Sequence, residues 1–160
     1  MFLKASIDYG LRMLLYLAKH DRVCSSKEIS ENMLIPRDYL IQLAQIERHA
    51  GLIESRPGKN GGYIISKPAN EITLLEILNA INNGEDEMEE PKHDIASARH
   101  TNDEVTHMLD IVTSSYAAFL DSITLDMLSK CFDGTVNAEV YLADRLKEES
   151  QRLTQNLATA

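Results

Sequence analysis

The chain has 160 residues, 44% of them hydrophobic and 26% charged, with a formal net charge of −9. That size and balance describe one domain, or one small domain with a dimerisation arm, and exclude a disordered or membrane-embedded chain. No apolar run approaches the roughly 18 residues that would read as a membrane span. The opening residues, MFLKASIDYG, lack a signal peptide's apolar block, so the expected location is the cytoplasm. Cys24 and Cys131 are the two cysteines, too few for a disulfide framework or a four-thiolate zinc site. With no Trp, a base-stacking platform is not expected.

The charge is uneven. Residues 1–66 carry nine Lys and Arg against seven acids, whereas the remainder carries seven against eighteen. A near-neutral to basic front half can meet phosphates, and an acidic back half cannot.

The front half reads as three helices and a hairpin. In SIDYGLRMLLYLAKH, residues Ile7, Leu11, Leu14, Leu15 and Ala18 fall on one stripe of a 3.6-residue period, with Ser6 expected as N-cap. Lys19 and His20 suit the negative end of that helix. Ser25 and Glu28 match a capping box and open a short helix with Ile29 and Met33 inside. Pro36 is expected at the first position of a third helix, which stops at Gly51. Its expected buried face is Tyr39, Leu43, Ile46 and Ala50, and its polar face Asp38, Gln42, Gln45 and His49, with Arg37 and Arg48 at the margins. The second and third helices make a helix-turn-helix. LIESR and YIISK then flank PGKNGG, a hairpin signal, and complete a winged-helix pattern.

Thr73 is expected to cap a helix over Leu74, Leu75, Leu78 and Ile81, ending at Asn83-Gly84. The stretch from 83 to 104 is acidic and polar and reads as a linker or sensor loop. A long helix begins near Val105 and carries Leu109, Val112, Tyr116, Phe119 and Leu120 at helical spacing, more apolar surface than a lone helix leaves exposed. The expectation is a homodimer through that helix. Thr124 opens a short helix, and AEVYLADRLKEESQRL reads as a charged surface or fraying helix. The fold class expected is mainly α with a small β-hairpin wing: 1–82 for DNA binding, 83–104 as linker, and 105–160 as dimerisation helix and tail.

DYGLRMLLYLA, SSKEIS, IPRDYLIQLAQIERHAGLIESR and GKNGGY, together with FLDSITLDML, resemble the Rrf-type family of bacterial winged helix-turn-helix transcription regulators, the group of IscR, NsrR and CymR. The resemblance implies a homodimeric regulator, a repressor, on a near-palindromic operator in double-stranded DNA. Gln42 and Gln45 have side chains able to pair with adenine in the major groove. Arg37 and Lys27 stand near helix starts, where phosphates are met. The full expected contact set is Lys27, Arg37, Asp38, Tyr39, Gln42, Gln45, Arg56, Lys59, Asn60 and Gly61. The wing departs from the family pattern: Pro57 stands where an arginine is usual, and Arg56 lies one position earlier.

Sensor members of the family hold an iron–sulfur cluster on three linker cysteines, and residues 83–104 contain none. No cofactor is therefore expected, although Asp8 matches the helix-one acid of NsrR-like members. His93, His100 and His107 recur every seven residues and, with Asp8, form a lesser metal-ligand set. Cys24, at the entry to the helix-turn-helix, is the candidate for a redox signal, because a helix N-terminus favours a thiolate. The alternative is control by a partner protein or small ligand bound to the acidic C-terminal half. No phosphate loop, nucleophile elbow or HExxH occurs, so an enzyme is not expected.

Overall fold

A computed structural model describes residues 4–86 and 104–158. At its centre lies α1 (Ala5–His20), which packs against α2 (Ser26–Met33), α3 (Arg37–His49), α4 (Leu74–Asp86) and α6 (Leu125–Phe132). Its sequence explains that position: beyond the expected stripe, Met13, Tyr16 and Leu17 are also buried, so the helix is apolar nearly all round. Lys4, not Ser6, is the N-cap. Ser6 lies inside the helix, buried, with no hydrogen-bond partner for its Oγ.

Capping residues set the starts of the other helices. Ser25 Oγ accepts from Glu28 N at 3.1 Å at the start of α2. Thr73 and Glu76 form a complete reciprocal box at the start of α4: Glu76 N donates to Thr73 Oγ1 at 3.2 Å, and Thr73 N donates to Glu76 Oε2 at 3.0 Å. Thr124 caps α6. Pro36 is the residue before α3 rather than its first, and Gly51 follows α3 with φ 73°, the left-handed geometry that glycine adopts without strain.

Strands β1 (Ile53–Arg56) and β2 (Gly62–Ile65) pair antiparallel with Ile53 opposite Ile65 and Arg56 opposite Gly62. A short 3-10 turn, Ala69–Glu71, leads to α4. The expected stop at Asn83-Gly84 does not occur, and α4 continues to Asp86. Gly84 is a packing residue: a Cβ there would lie 2.5 Å from Ile46 Cγ2 of α3.

The back half is not a separate body. α5 (Glu104–Asp121) feeds into α6, and the strand-like pairing of Leu74 N with Ile123 O and Leu125 N with Ile72 O, both 2.8 Å, clasps α6 to the start of α4. Ile72, Ile77, Ile81, Ile123 and Leu125 join Met13, Leu14, Leu17, Leu40 and Ile53 in the buried interior. α7 (Ala138–Ala158) packs along α5 and against α6. Among the described residues no helix is long and apolar enough to cross a membrane.

Candidate nucleic-acid interface

The inward face of α3 is Leu40, Leu43, Ala44 and Glu47. This corrects the expected face. Leu43 is buried as anticipated, but Tyr39 and Ile46 are half-buried and Ala50 is exposed. Tyr39 packs edge-on against Tyr9 of α1, with ring centroids 5.7 Å apart, so it braces the helix. The outward face keeps its expected members: Arg37, Asp38, Gln42, Gln45, Arg48 and His49 are all exposed. Asp38 in the first turn and Arg48 and His49 in the last suit the helix dipole.

The turn before α3 is pinned by one residue. Ser30 Oγ donates to Ile35 O at 2.7 Å, while Ile35 N donates to Ser30 O at 3.1 Å. Between them Leu34 takes a left-handed conformation with φ 55° and is 79% exposed.

The wing docks beside α3. A groove of about 190 Å³ runs between them, lined by Ile41, Ala44, Gln45 and Arg48 from the helix and Ser55 and Tyr63 from the hairpin. Gln45 thus lines this groove from the outward face of α3. Ile41, Ser55 and Tyr63 were missed in the sequence reading, although plotting α3 at 100° per residue puts Ile41 beside Gln45. Lys59 and Asn60 are exposed at the wing tip, and Lys27 stands on α2 with an ion pair to Glu31 at 3.9 Å. Arg56 is also exposed and pairs with Glu54 at 2.7 Å on the same strand. Gly61 makes the tip tight, since a Cβ there would lie 2.3 Å from Arg56 O.

A polar cluster holds the α2 entry. Glu28 accepts from Tyr16 Oη at 3.0 Å and from Arg22, and the Arg22 guanidinium chiefly holds its carboxyl below the usual range. Cys24 lies beside this cluster, fully buried, with Sγ donating to Arg22 O at 3.5 Å. Burial pushes the Cys24 thiol up, with the Glu28 charge adding to it. Desolvation thus opposes the thiolate that the helix end was expected to favour.

Of the expected dimerisation residues, Leu109, Val112 and Tyr116 are exposed on α5, together with Met108 and Ile111. Phe119 is half-buried and Leu120 is buried in the protomer, so Leu120 belongs to the interior.

Comparison with known proteins agrees with this geometry. The family model Rrf2, described as an iron-dependent transcriptional regulator, matches residues 3–130. The chain is similar to T. potens IscR, with 26% identity over 85% of this chain and 92% of that one and a TM-score of 0.64. It is also similar to the oxidised form of Staphylococcus aureus CymR, with 29% identity over 81% and 97% and a TM-score of 0.60. For B. subtilis CymR, the global cysteine regulator, the values are 27%, 81%, 97% and 0.61.

Iron is part of the family description, and this chain's donor set does not fit a cluster. Thiolates are the usual cluster ligands. The sequence has only Cys24 and Cys131, and Cys24 is sealed inside the helix-turn-helix. Asp8 is engaged by Arg12 Nε at 3.0 Å to both oxygens. His107 is exposed at the α5–α7 cleft, while His93 and His100 lie outside the described residues. The helix-turn-helix, the docked wing and a family match over most of the chain lead to one conclusion: the chain belongs to the Rrf2 family of DNA-binding transcriptional regulators and is not an enzyme.

Proposed function

We propose that the chain is a homodimeric repressor that reads a near-palindromic operator through α3 and the wing, without an iron–sulfur cluster. The observation that carries this is the outward face of α3, where Gln42, Gln45 and Arg48 stand exposed beside the wing groove. Gln side chains are suited to adenine and Arg to guanine in the major groove. Arg37, Lys27 and Lys59 flank that face as phosphate contacts, with Asp38, Arg56, Asn60 and Gly61 at its margins. The segment through α4 serves DNA binding, the stretch between α4 and α5 serves as a linker, and the segment from α5 onward holds the dimer. The apolar surface of Met108, Leu109, Ile111, Val112 and Tyr116 supports a second copy as its cover.

Burial of Cys24 favours the alternative signal, a partner protein or small ligand at the C-terminal half. A cleft of about 390 Å³ between α5 and α7, touching His107, Ile111, Ser114 and Leu153, supports that reading. A footprint on a duplex selected from a randomised pool tests the function. Two protected half-sites related by a dyad are expected, and protection of a single unpaired half-site contradicts the dimer.

A further inference from the structure

The reading helix contains a group that DNA contact does not use. Glu47, in the last turn of α3, is fully buried, and neither carboxyl oxygen has a hydrogen-bond partner. From α1 it meets Gly10, where an added Cβ would stand 3.0 Å from Glu47 Oε1 and 2.6 Å from Ile81 Cδ1 of α4. Ser6, one turn earlier on the same side of α1, is buried with its Oγ unpartnered.

Among the described residues no charged side chain pairs with it. The charged groups and the histidine with described side chains on the elements packed against α3 are Asp8, Arg12, Lys19 and His20 on α1, Lys27, Glu28 and Glu31 on α2, Glu76 on α4, and Glu54 and Arg56 on β1. None of them acts on Glu47, and the charged neighbour on its own helix, Arg48, is exposed. Burial alone pushes this carboxyl well above the usual range. An ionised carboxylate without a partner is not held in such a place: either it stays neutral or the chain moves to let it reach water.

α3 ends two residues after Glu47, at His49. Gly51 has φ 73° just past the helix end, and the last turn closes through Ala50 N to Ile46 O, Gly51 N to Arg48 O and Leu52 N to Glu47 O. We propose that Glu47 is a positioning residue for DNA reading: α3 seats against α1 and α4 with the Glu47 carboxyl protonated, and loss of that proton to solvent withdraws the last turn, displacing Arg48 and Gln45 from the reading face. This rests on α3 being the DNA-reading helix. The sign follows from linkage. A carboxyl that is harder to ionise when seated favours the seated form at low pH, and that preference is lost as pH rises above about 4.5 toward the folded-state value.

The test compares the full chain with Glu47→Gln and Glu47→Leu on a duplex selected from a randomised pool, at constant salt from pH 6 to 8.5. The wild type should lose affinity with rising pH relative to both variants, by up to about a hundredfold per pH unit, the limit for a dimer that links one proton in each protomer. Glu47→Gln, neutral and of the same shape, should bind at pH 8.5 as the wild type does at pH 6. Glu47→Leu gives the same answer if the buried amide destabilises the fold. One shared pH profile for all three proteins overturns the proposal. So does a pH-dependent melting temperature with no matching change in affinity, because the proton then acts on global stability alone. Failure of the wild type to bind any duplex at any pH overturns the DNA-reading function itself, and the proposal with it.

Discussion

Cys24 and Tyr63 exchange two backbone hydrogen bonds of 2.9 Å, each N–H donating to the other's carbonyl. This pair makes β2 a neighbour of the α2 entry and fixes the angle at which the wing meets α3. The relationship gives Cys24 a structural role through its backbone, independent of its thiol. It also explains the glycine before Tyr63: a Cβ on Gly62 would lie 2.1 Å from Cys24 O and 2.9 Å from Ser25 Cα.

Gly62→Ala should therefore separate the wing from the helix-turn-helix. The expected loss is about 1–3 kcal/mol of stability, the range for leaving a buried backbone group unpaired. Affinity for DNA should fall at least about tenfold, as 1.4 kcal/mol of lost binding implies. Unchanged melting and unchanged affinity would show that the close approach is not required.

Leu34→Gly should stabilise the protein. Leu34 holds φ 55° and is 79% exposed, so it bears left-handed strain with little burial in return. The left-handed conformation costs an L-residue roughly 1–2 kcal/mol. Glycine's greater freedom in the unfolded chain offsets part of that gain, leaving about 1 kcal/mol. Thermal unfolding should move up by about 2–4 °C, as expected for a chain of this size.

Alkylation should distinguish the two thiols. Cys131 is half-buried on α6, whereas Cys24 is sealed and its thiol is pushed up by burial. Native protein treated with iodoacetamide at neutral pH should carry label at Cys131 first, read by peptide mass spectrometry, with Cys24 labelled only on unfolding. DNA affinity should not respond to diamide through Cys24. Rapid labelling of Cys24 in the native state would restore the redox reading.

Glu28 and Glu76 are among the carboxylates held low in the folded chain, as is Asp133 through Thr135. Arg22 first, then Tyr16, holds Glu28 low, and Lys67 first holds Glu76 low. A depressed folded value means stability that is present above the unfolded pKa of about 4.5 and is lost as pH falls through the folded value. Glu28→Gln should flatten this acid limb, measured by urea unfolding between pH 3 and 6. A limb identical to the wild type would remove Glu28 from the account.

Much of the fold is legible in local chemistry. Ser25–Glu28, Thr73–Glu76 and the PGKNGG turn are patterns whose hydrogen bonds are satisfied within a few residues, so sequence suffices. The errors share a cause: they depend on what lies across the interface. Ser6 has a cap's chemistry, but the helix begins at Ala5 and turns that hydroxyl inward. Gly84 has a stop's chemistry, yet its missing side chain accommodates Ile46. The expected inner face of α3 ran through Tyr39 and Ala50 and left out Glu47, whereas the buried one is Leu40, Leu43, Ala44 and Glu47. Nothing local marks Glu47 as buried, and Gly10, the residue that makes room for it, lies on another helix. Cys24 shows the same divide, because its helix-end position is visible in sequence and its burial is not.

The central claim, that α3 reads bases while the wing supplies charge, is tested most directly by one titration series. Wild type, Gln45→Ala and Lys59→Ala are titrated on the selected duplex and on single-base variants of it, across a range of salt. Gln45→Ala should cost about 1–3 kcal/mol at its cognate base pair and relax preference there, with the salt slope unchanged. Lys59→Ala should weaken all sequences alike and lower the slope by about one. If Gln45→Ala, still folded, keeps both affinity and base preference, the outward face of α3 does not read DNA and the account is contradicted.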